Sequence, residues 1–240
     1  LMAVLYFDKM NVRPEQPDWA ERDRFVLSKG HCTVALYPTL AMRGFFPAER
    51  LQEFRKIDGH LSGHAEMRYV PGVDMSTGSL GQGVSCAAGM AKGAKYLGQD
   101  INVYTLLGDG EIEEGEVWEA FMFAAHYKLD NLCVIIDLNG LQIDGPTEKV
   151  MNSAPVDAKM EAFGFNVITI DGHDYDQIEG AFNAFRACTG KPTAILMHTT
   201  KGKGVKYMEN NVDWHGKAPN DAEYEVAMNE LRAAMAELEA

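Results

Sequence analysis

Two oxygen-bearing residues about thirty positions apart carry the sharpest chemical signal in this chain. Leu107-Gly108-Asp109-Gly110 directly follows a strand-like run, and Asp137-Leu138-Asn139 ends the next one. The interval from Asp109 to Asn139 matches one strand–helix–strand unit. Ligands of open α/β sheets sit at the carboxyl ends of strands, and neighbouring strands lie roughly 4.8 Å apart. An aspartate and an asparagine on adjacent tips therefore suit one hard cation. Magnesium takes about six oxygens at roughly 2.0–2.1 Å and usually keeps waters or phosphate oxygens. Asp109 offers a charged oxygen, Asn139 a neutral one, and the backbone carbonyl of Leu141 a third. One carboxylate against a divalent ion leaves positive charge for an anionic ligand, such as a diphosphate, to neutralise. Gly108 and Gly110 permit a tight turn and leave the carboxylate unshielded. A lone Gly-Asp-Gly is otherwise an ordinary turn; the spacing to Asn139 is what favours a metal.

Further segments could face the same ligand. Ser76-Thr77-Gly78-Ser79-Leu80-Gly81-Gln82-Gly83 opens a helix-like stretch. Glycines there expose amides to an anion, or equally allow close helix packing. Lys201-Gly202-Lys203-Gly204 suits a phosphate-facing loop, although Lys203 reads better as a solvated surface residue. His31, His64 and His215 each sit beside a glycine in loop-like surroundings, where an imidazole donates to hydroxyls and moves protons near neutral pH. Taken alone, His215 reads more naturally as a structural histidine. His60, His126, His173 and His198 look ordinary. Glu113, Glu114, Glu116 and Glu119 crowd the start of a helix, where acidic charge is favourable in any case.

The elements that must hold these residues follow from periodicity. Residues 103–107, 132–138, 165–170 and 193–197 read as strands. Most are apolar on both faces, as parallel strands covered on both sides are. Helices are expected over residues 31–43, 47–56, 80–97, 117–127, 175–188 and 221–239. In the second of these Leu51, Phe54 and Ile57 share a face, and the third is rich in small residues and expected to be buried. Asp174 is expected to cap the helix after Asp171-Gly172-His173. The βαβ rhythm predicts an α/β fold, a doubly wound parallel sheet flanked by helices, as a single domain over residues 1–240. A net charge of −13 argues against a nucleic-acid or anionic-membrane partner. No apolar run is long enough to span a bilayer and no leader is evident, so a cytoplasmic protein is expected. The four cysteines form no CxxC and read as reduced core residues. The opening Leu1 to Phe7 reads as the tail of an apolar helix, suggesting a preceding segment.

Together these segments resemble the diphosphate-binding part of transketolase, along nearly the whole chain. Residues 24–31 (Arg-Phe-Val-Leu-Ser-Lys-Gly-His) resemble that family's early histidine motif. Gly63-His64-Ala65-Glu66 resembles its Gly-His-Pro-Glu, with Ala65 in the proline position. Residues 76–83 resemble its thiamine-contacting loop, Gly108 to Asn139 its metal motif, and Lys201 to Gly204 with Trp214-His215-Gly216-Lys217 its late diphosphate-side loop. The resemblance implies thiamine diphosphate bound through Mg2+, or Ca2+ or Mn2+ in its place. It implies that Asp109, Asn139 and the Leu141 carbonyl hold the metal. The cofactor would be lined by Gly78, Ser79, Leu80, Gly108, Gly110, Glu114, Asn139, Lys201 and His215. His31, His64 and His215 would surround the reacting carbon and the hydroxyls of a sugar phosphate. Glu114 and Glu119 would join a carboxylate network linking paired sites.

Two departures matter. The family's opening segment, and the second domain that activates the aminopyrimidine ring, have no counterpart here. The resemblance is therefore to the N-terminal subunit of a split transketolase, working with a C-terminal, pyrimidine-binding subunit in a heterotetramer. Two other classes stay open: another thiamine enzyme (a 2-oxo-acid dehydrogenase α chain, or a dihydroxyacetone- or deoxyxylulose-phosphate-forming relative) and a non-catalytic scaffold.

Overall fold

Continuous apolar stretches in four runs, and a fifth shorter one, give the molecule its frame. The structure, a computed structural model, describes residues 1–239; Ala240, included in the expected domain, lies outside them. In chain order the elements are α1 (Met2–Val4), which continues as a wider π-type turn through Lys9, β1 (Arg24–Leu27), α2 (Thr33–Arg43) and α3 (Gln82–Leu97). Then come β2 (Val103–Gly108), α4 (Gly115–His126), β3 (Leu132–Leu138) and a small hairpin, β4 (Leu141–Gln142) with β5 (Gly145–Pro146). The chain continues through α5 (Thr147–Val150), α6 (Val156–Phe163), β6 (Asn166–Asp171), α7 (Tyr175–Ala187), β7 (Thr193–His198) and α8 (Asp221–Leu238).

Five strands form one sheet in the order β1-β2-β3-β7-β6, every pairing parallel. Successive side chains of a strand point to opposite faces. On β2, Tyr104 and Leu106 enter one buried cluster with Phe25, Leu36, Phe182 and Phe185, whereas Val103 and Leu107 enter another with Val84, Ala87, Val117 and Phe121. Helices α1, α2 and α7 thus cover one face and α3, α4 and α6 the other, the expected doubly wound arrangement.

Four expected strands are present within one residue at either end. The fifth, β1, is not announced by the sequence because Phe25, Val26 and Leu27 are too short a run; burial on both faces recruits them. Strand β6 is half-buried, with Thr169 exposed, because it closes the sheet edge. The expected helix over 47–56 is instead a 3-10 turn from Ala48 to Glu53. Leu51 and Phe54 pack against the core, but Ile57 is 99 % exposed and shares no face with them. The short α5 and α6 were not expected. Asp174 does cap α7, accepting from the amides of Asp176 and Gln177. Asn220 and Glu223 form a reciprocal capping box at α8. The four cysteines are free, and no helix among the described residues is long and apolar enough to cross a membrane.

Helix α3 is buried on one face only: Val84, Ala87, Ala88, Ala91 and Ala94 are inside, Gly89 and Tyr96 outside. Its first turn crosses the end of β1 so closely that a Cβ on Gly83 would lie 2.6 Å from the Ser28 Cα. Gly83→Ala is therefore expected to destabilise the fold by about 1–3 kcal/mol, through overpacking, although alanine is the better helix former. Urea denaturation checks this; an unchanged or higher midpoint would disprove the close approach.

Candidate functional site

Every parallel strand delivers its carboxyl end to the same edge, so the turns after β1, β2, β3 and β7 form one cluster. Gly108 pairs with Asp137 in register, and the Asp109 amide donates to the Asp137 carbonyl at 3.2 Å. Asp109 is only 5 % exposed. Its carboxylate accepts from the Gly110 amide at 2.9 Å and from the Gly140 amide at 2.6 Å. The second contact makes the β2 and β3 tips direct neighbours. Burial pushes the Asp109 carboxyl above its usual range, and the two amides pull it partly back. Asn139 donates its Nδ2 to Asp137 at 3.2 Å, and its Oδ1 accepts from the Leu141 amide at 3.1 Å. Beside this tip the Glu113 Oε1 and Gln142 Oε1 are buried without a hydrogen-bond partner. A Cβ on Gly110 would meet the Gln142 Cβ at 2.9 Å, so glycine keeps this corner open.

The other side of the cluster is built from histidines and lysines. The rings of His31 and His215 lie 5.2 Å apart. Burial, with the neighbouring positive groups His215, Lys29, His64 and Lys201, lowers the His31 imidazole to about 4. Burial, then Lys201 and Lys29, also lowers His215. The His215 Nδ1 is buried with no partner, a group that a polar ligand would satisfy. His64 faces Gly78: a Cβ there would lie 3.2 Å from the His64 Cδ2. A cavity of about 260 Å³ opens here, lined among others by His64, Glu66, Ser76, Gly78 and Ser79. Ala65 is buried; its amide donates to Gly30 at 3.2 Å and its carbonyl accepts from Thr77 at 3.1 Å. A proline there would have no N–H to give the first bond.

His31, His64, His215 and Lys201 thus converge on one side, and Asp109, Asn139, Gly108 and Gly110 on the other. Ser79 and Leu80 are exposed at the start of α3. Glu114 caps α4 with its backbone and approaches Gly81, but its side chain is exposed, as is that of Glu119. Lys203 is exposed beside Glu209, as a solvated loop residue would be.

Two buried charges are not singled out by the sequence. Glu111 accepts from the Ser28 hydroxyl, from the Gly81 amide at 3.0 Å and from the Gly108 amide at 3.1 Å, tying together the turns after β1 and β2 and the start of α3. Lys29 pairs with Asp137 at 2.5 Å. Both residues lie within or beside motifs that stand out for their neighbours, Gly-Asp-Gly and Gly-His, and that proximity is the available signal.

The neutral His31 has a consequence for pH. As pH falls from 6.5 towards about 4 the unfolded chain takes up a proton before the folded one does, so this histidine's share of stability declines across that window. Wild type is expected to lose more stability than His31→Gln between pH 7 and pH 4.5, read from paired urea titrations. Parallel losses would place His31 in a more open setting.

The family described as "Transketolase, thiamine diphosphate binding domain" matches residues 1–235. The 6-deoxy-6-sulfo-D-fructose transketolase subunit SqwG of Clostridium sp. (strain MSTE9) is 43 % identical over 231 residues, covering 96 % of this chain and 84 % of that protein. One of the named subunits of the apulose-4-phosphate transketolase of Phocaeicola vulgatus is 43 % identical over 239 residues, covering 100 % of this chain and 85 % of that protein. The crystal structure of transketolase from Campylobacter jejuni superposes with a TM-score of 0.90 at 34 % identity, covering 95 % of this chain but 37 % of that one.

Proposed function

This chain belongs to the transketolase family, as its thiamine diphosphate-binding domain, and from that premise we propose that it supplies the metal- and diphosphate-holding half of a transketolase active site. The observation that supports this reading is the contact between the buried Asp109 carboxylate and the amide of Gly140, the residue that follows Asn139 on the neighbouring strand tip. Asp109, Asn139 and the Leu141 carbonyl would hold Mg2+, and the orphaned oxygens of Glu113 and Gln142 beside them are consistent with a polar occupant. Gly78, Ser79, Leu80, Gly108, Gly110, Glu114, Lys201 and His215 would line the cofactor.

Thiamine diphosphate, when bound, supplies the electron sink that lets a two-carbon ketol unit pass from a ketose phosphate to an aldose phosphate. This chain's own groups bind and orient. Lys201 contributes positive charge towards the diphosphate end. His31, neutral at physiological pH, gives one donor and one acceptor to sugar hydroxyls. His64 and His215 hydrogen-bond the oxygen on which charge develops. The ring-activating residues would come from a second, pyrimidine-binding chain in a cytoplasmic heterotetramer. Two relatives bear subunit names, which supports a two-chain assembly.

The test is a substrate panel with the second chain supplied. Ketol transfer between sugar phosphates is expected. His64→Ala is expected to lower turnover by about 10²–10³-fold with little change in cofactor affinity. An unchanged rate would remove His64 from the donor site. Decarboxylation of 2-oxo acids without ketol transfer would move the chain to another thiamine enzyme class, and an assembly that retains no thiamine diphosphate would make it a scaffold.

A further inference from the structure

Two carboxylates stand at the tips of β2 and β3, and their surroundings differ. Asp109 accepts two backbone amides, and among the described residues no cationic side chain forms an ion pair with it. Asp137 is engaged on both oxygens: the Thr199 hydroxyl donates to Oδ1, and Lys29 and the Asn139 amide donate to Oδ2. Lys29 is itself 9 % exposed and is carried into place by the turn after β1. A carboxylate accepts only, so Asp137 fixes which end of the Asn139 side chain faces it and turns Oδ1 the other way.

We infer that Lys29 is a positioning residue that masks Asp137, so that the Asp109–Asn139 site shows a divalent cation one carboxylate instead of two. The inference rests on the metal-site reading above and adds what that reading leaves open. A hard cation facing one carboxylate keeps net positive charge and needs an anionic phosphate ligand to be held. Facing two, it would be neutralised by the protein alone. Lys29 thereby makes cation and diphosphate binding mutually dependent, a coupling that is reciprocal by linkage.

The probe is Mn2+, its free concentration read by electron paramagnetic resonance on the full chain with the second chain supplied, with and without thiamine diphosphate. Wild type is expected to bind Mn2+ at least tenfold more tightly with thiamine diphosphate present. Lys29→Met is expected to bind Mn2+ alone at least tenfold more tightly than wild type, with the coupling reduced by the same factor. Adding Asp137→Asn to it should return the Mn2+-alone affinity to the wild-type value, and Lys29→Arg should keep the wild-type coupling. A folded Lys29→Met with unchanged Mn2+ affinity and unchanged coupling overturns the inference. Should Lys29→Met fail to fold, Asp137→Asn alone decides: it leaves Lys29 unpaired beside the cation, and Mn2+ affinity with thiamine diphosphate should drop at least tenfold, no drop overturning the inference. The underlying metal-site reading fails separately, by wild type showing no coupling or by Asp109→Asn retaining it.

Discussion

Asp109→Ala is expected to abolish magnesium-dependent retention of thiamine diphosphate, weakening it more than the roughly 10–100-fold seen when a residue behind a metal ligand is removed. The carboxylate is the one charged oxygen offered by the Asp109–Asn139–Leu141 set, so nothing in that set replaces it. The alanine also strands the amides of Gly110 and Gly140. Unpaired buried amides cost about 1–3 kcal/mol each, so the fold should soften as well. Asp109→Asn separates the two effects. Its amide oxygen accepts one of those amides while the charge is gone, so stability should largely return and cofactor binding should not. Calorimetric titration with Mg2+ and thiamine diphosphate in the presence of the second chain, beside a urea curve for each variant, reads both. Near wild-type cofactor affinity in the asparagine variant would take the cation away from this tip.

The second large effect is all-or-none. The purified chain is expected to show no ketol transfer alone, and transfer at ordinary enzymatic rates once a pyrimidine-binding chain is added. In the proposed function its strand-end turns would supply charge and hydrogen bonds for a diphosphate and for sugar hydroxyls, and the ring-activating groups would come from the second chain. After His215 the chain runs into α8, where Asp221 is exposed, the half-buried Glu223 pairs with Lys217, and the half-buried Glu230 accepts from the Lys206 amide. Stopped-assay measurements with and without the second chain decide the matter. Robust turnover by this chain alone would refute the split site.

Much of this frame was readable from residue order. Strong apolar runs set four strands, and the Gly-Asp-Gly turn with Asn139 marked two tips, because strand length and tip chemistry are both local. What escaped was non-local. The segment Arg24–Leu27 becomes a strand only because β2 lies beside it. Leu51 and Phe54 find the core through a 3-10 turn, which Pro47 opens and no amphipathic helix could anticipate. Lys29, Asp137 and Glu111 matter because separate turns meet at one edge, and no spacing along the chain announces that Lys29 reaches Asp137 or that Glu111 reaches Ser28. The histidines were legible as a group, but the neutrality of His31 depends on burial among neighbours brought from several different turns.

Glu111 clasps three separate stretches of backbone and hydroxyl with one side chain. Such a clasp does not open by degrees: releasing the carboxylate frees the Gly81 and Gly108 amides in a single event. Those two amides should then exchange with deuterium at a common rate, slow together in the closed floor and fast together when it breathes.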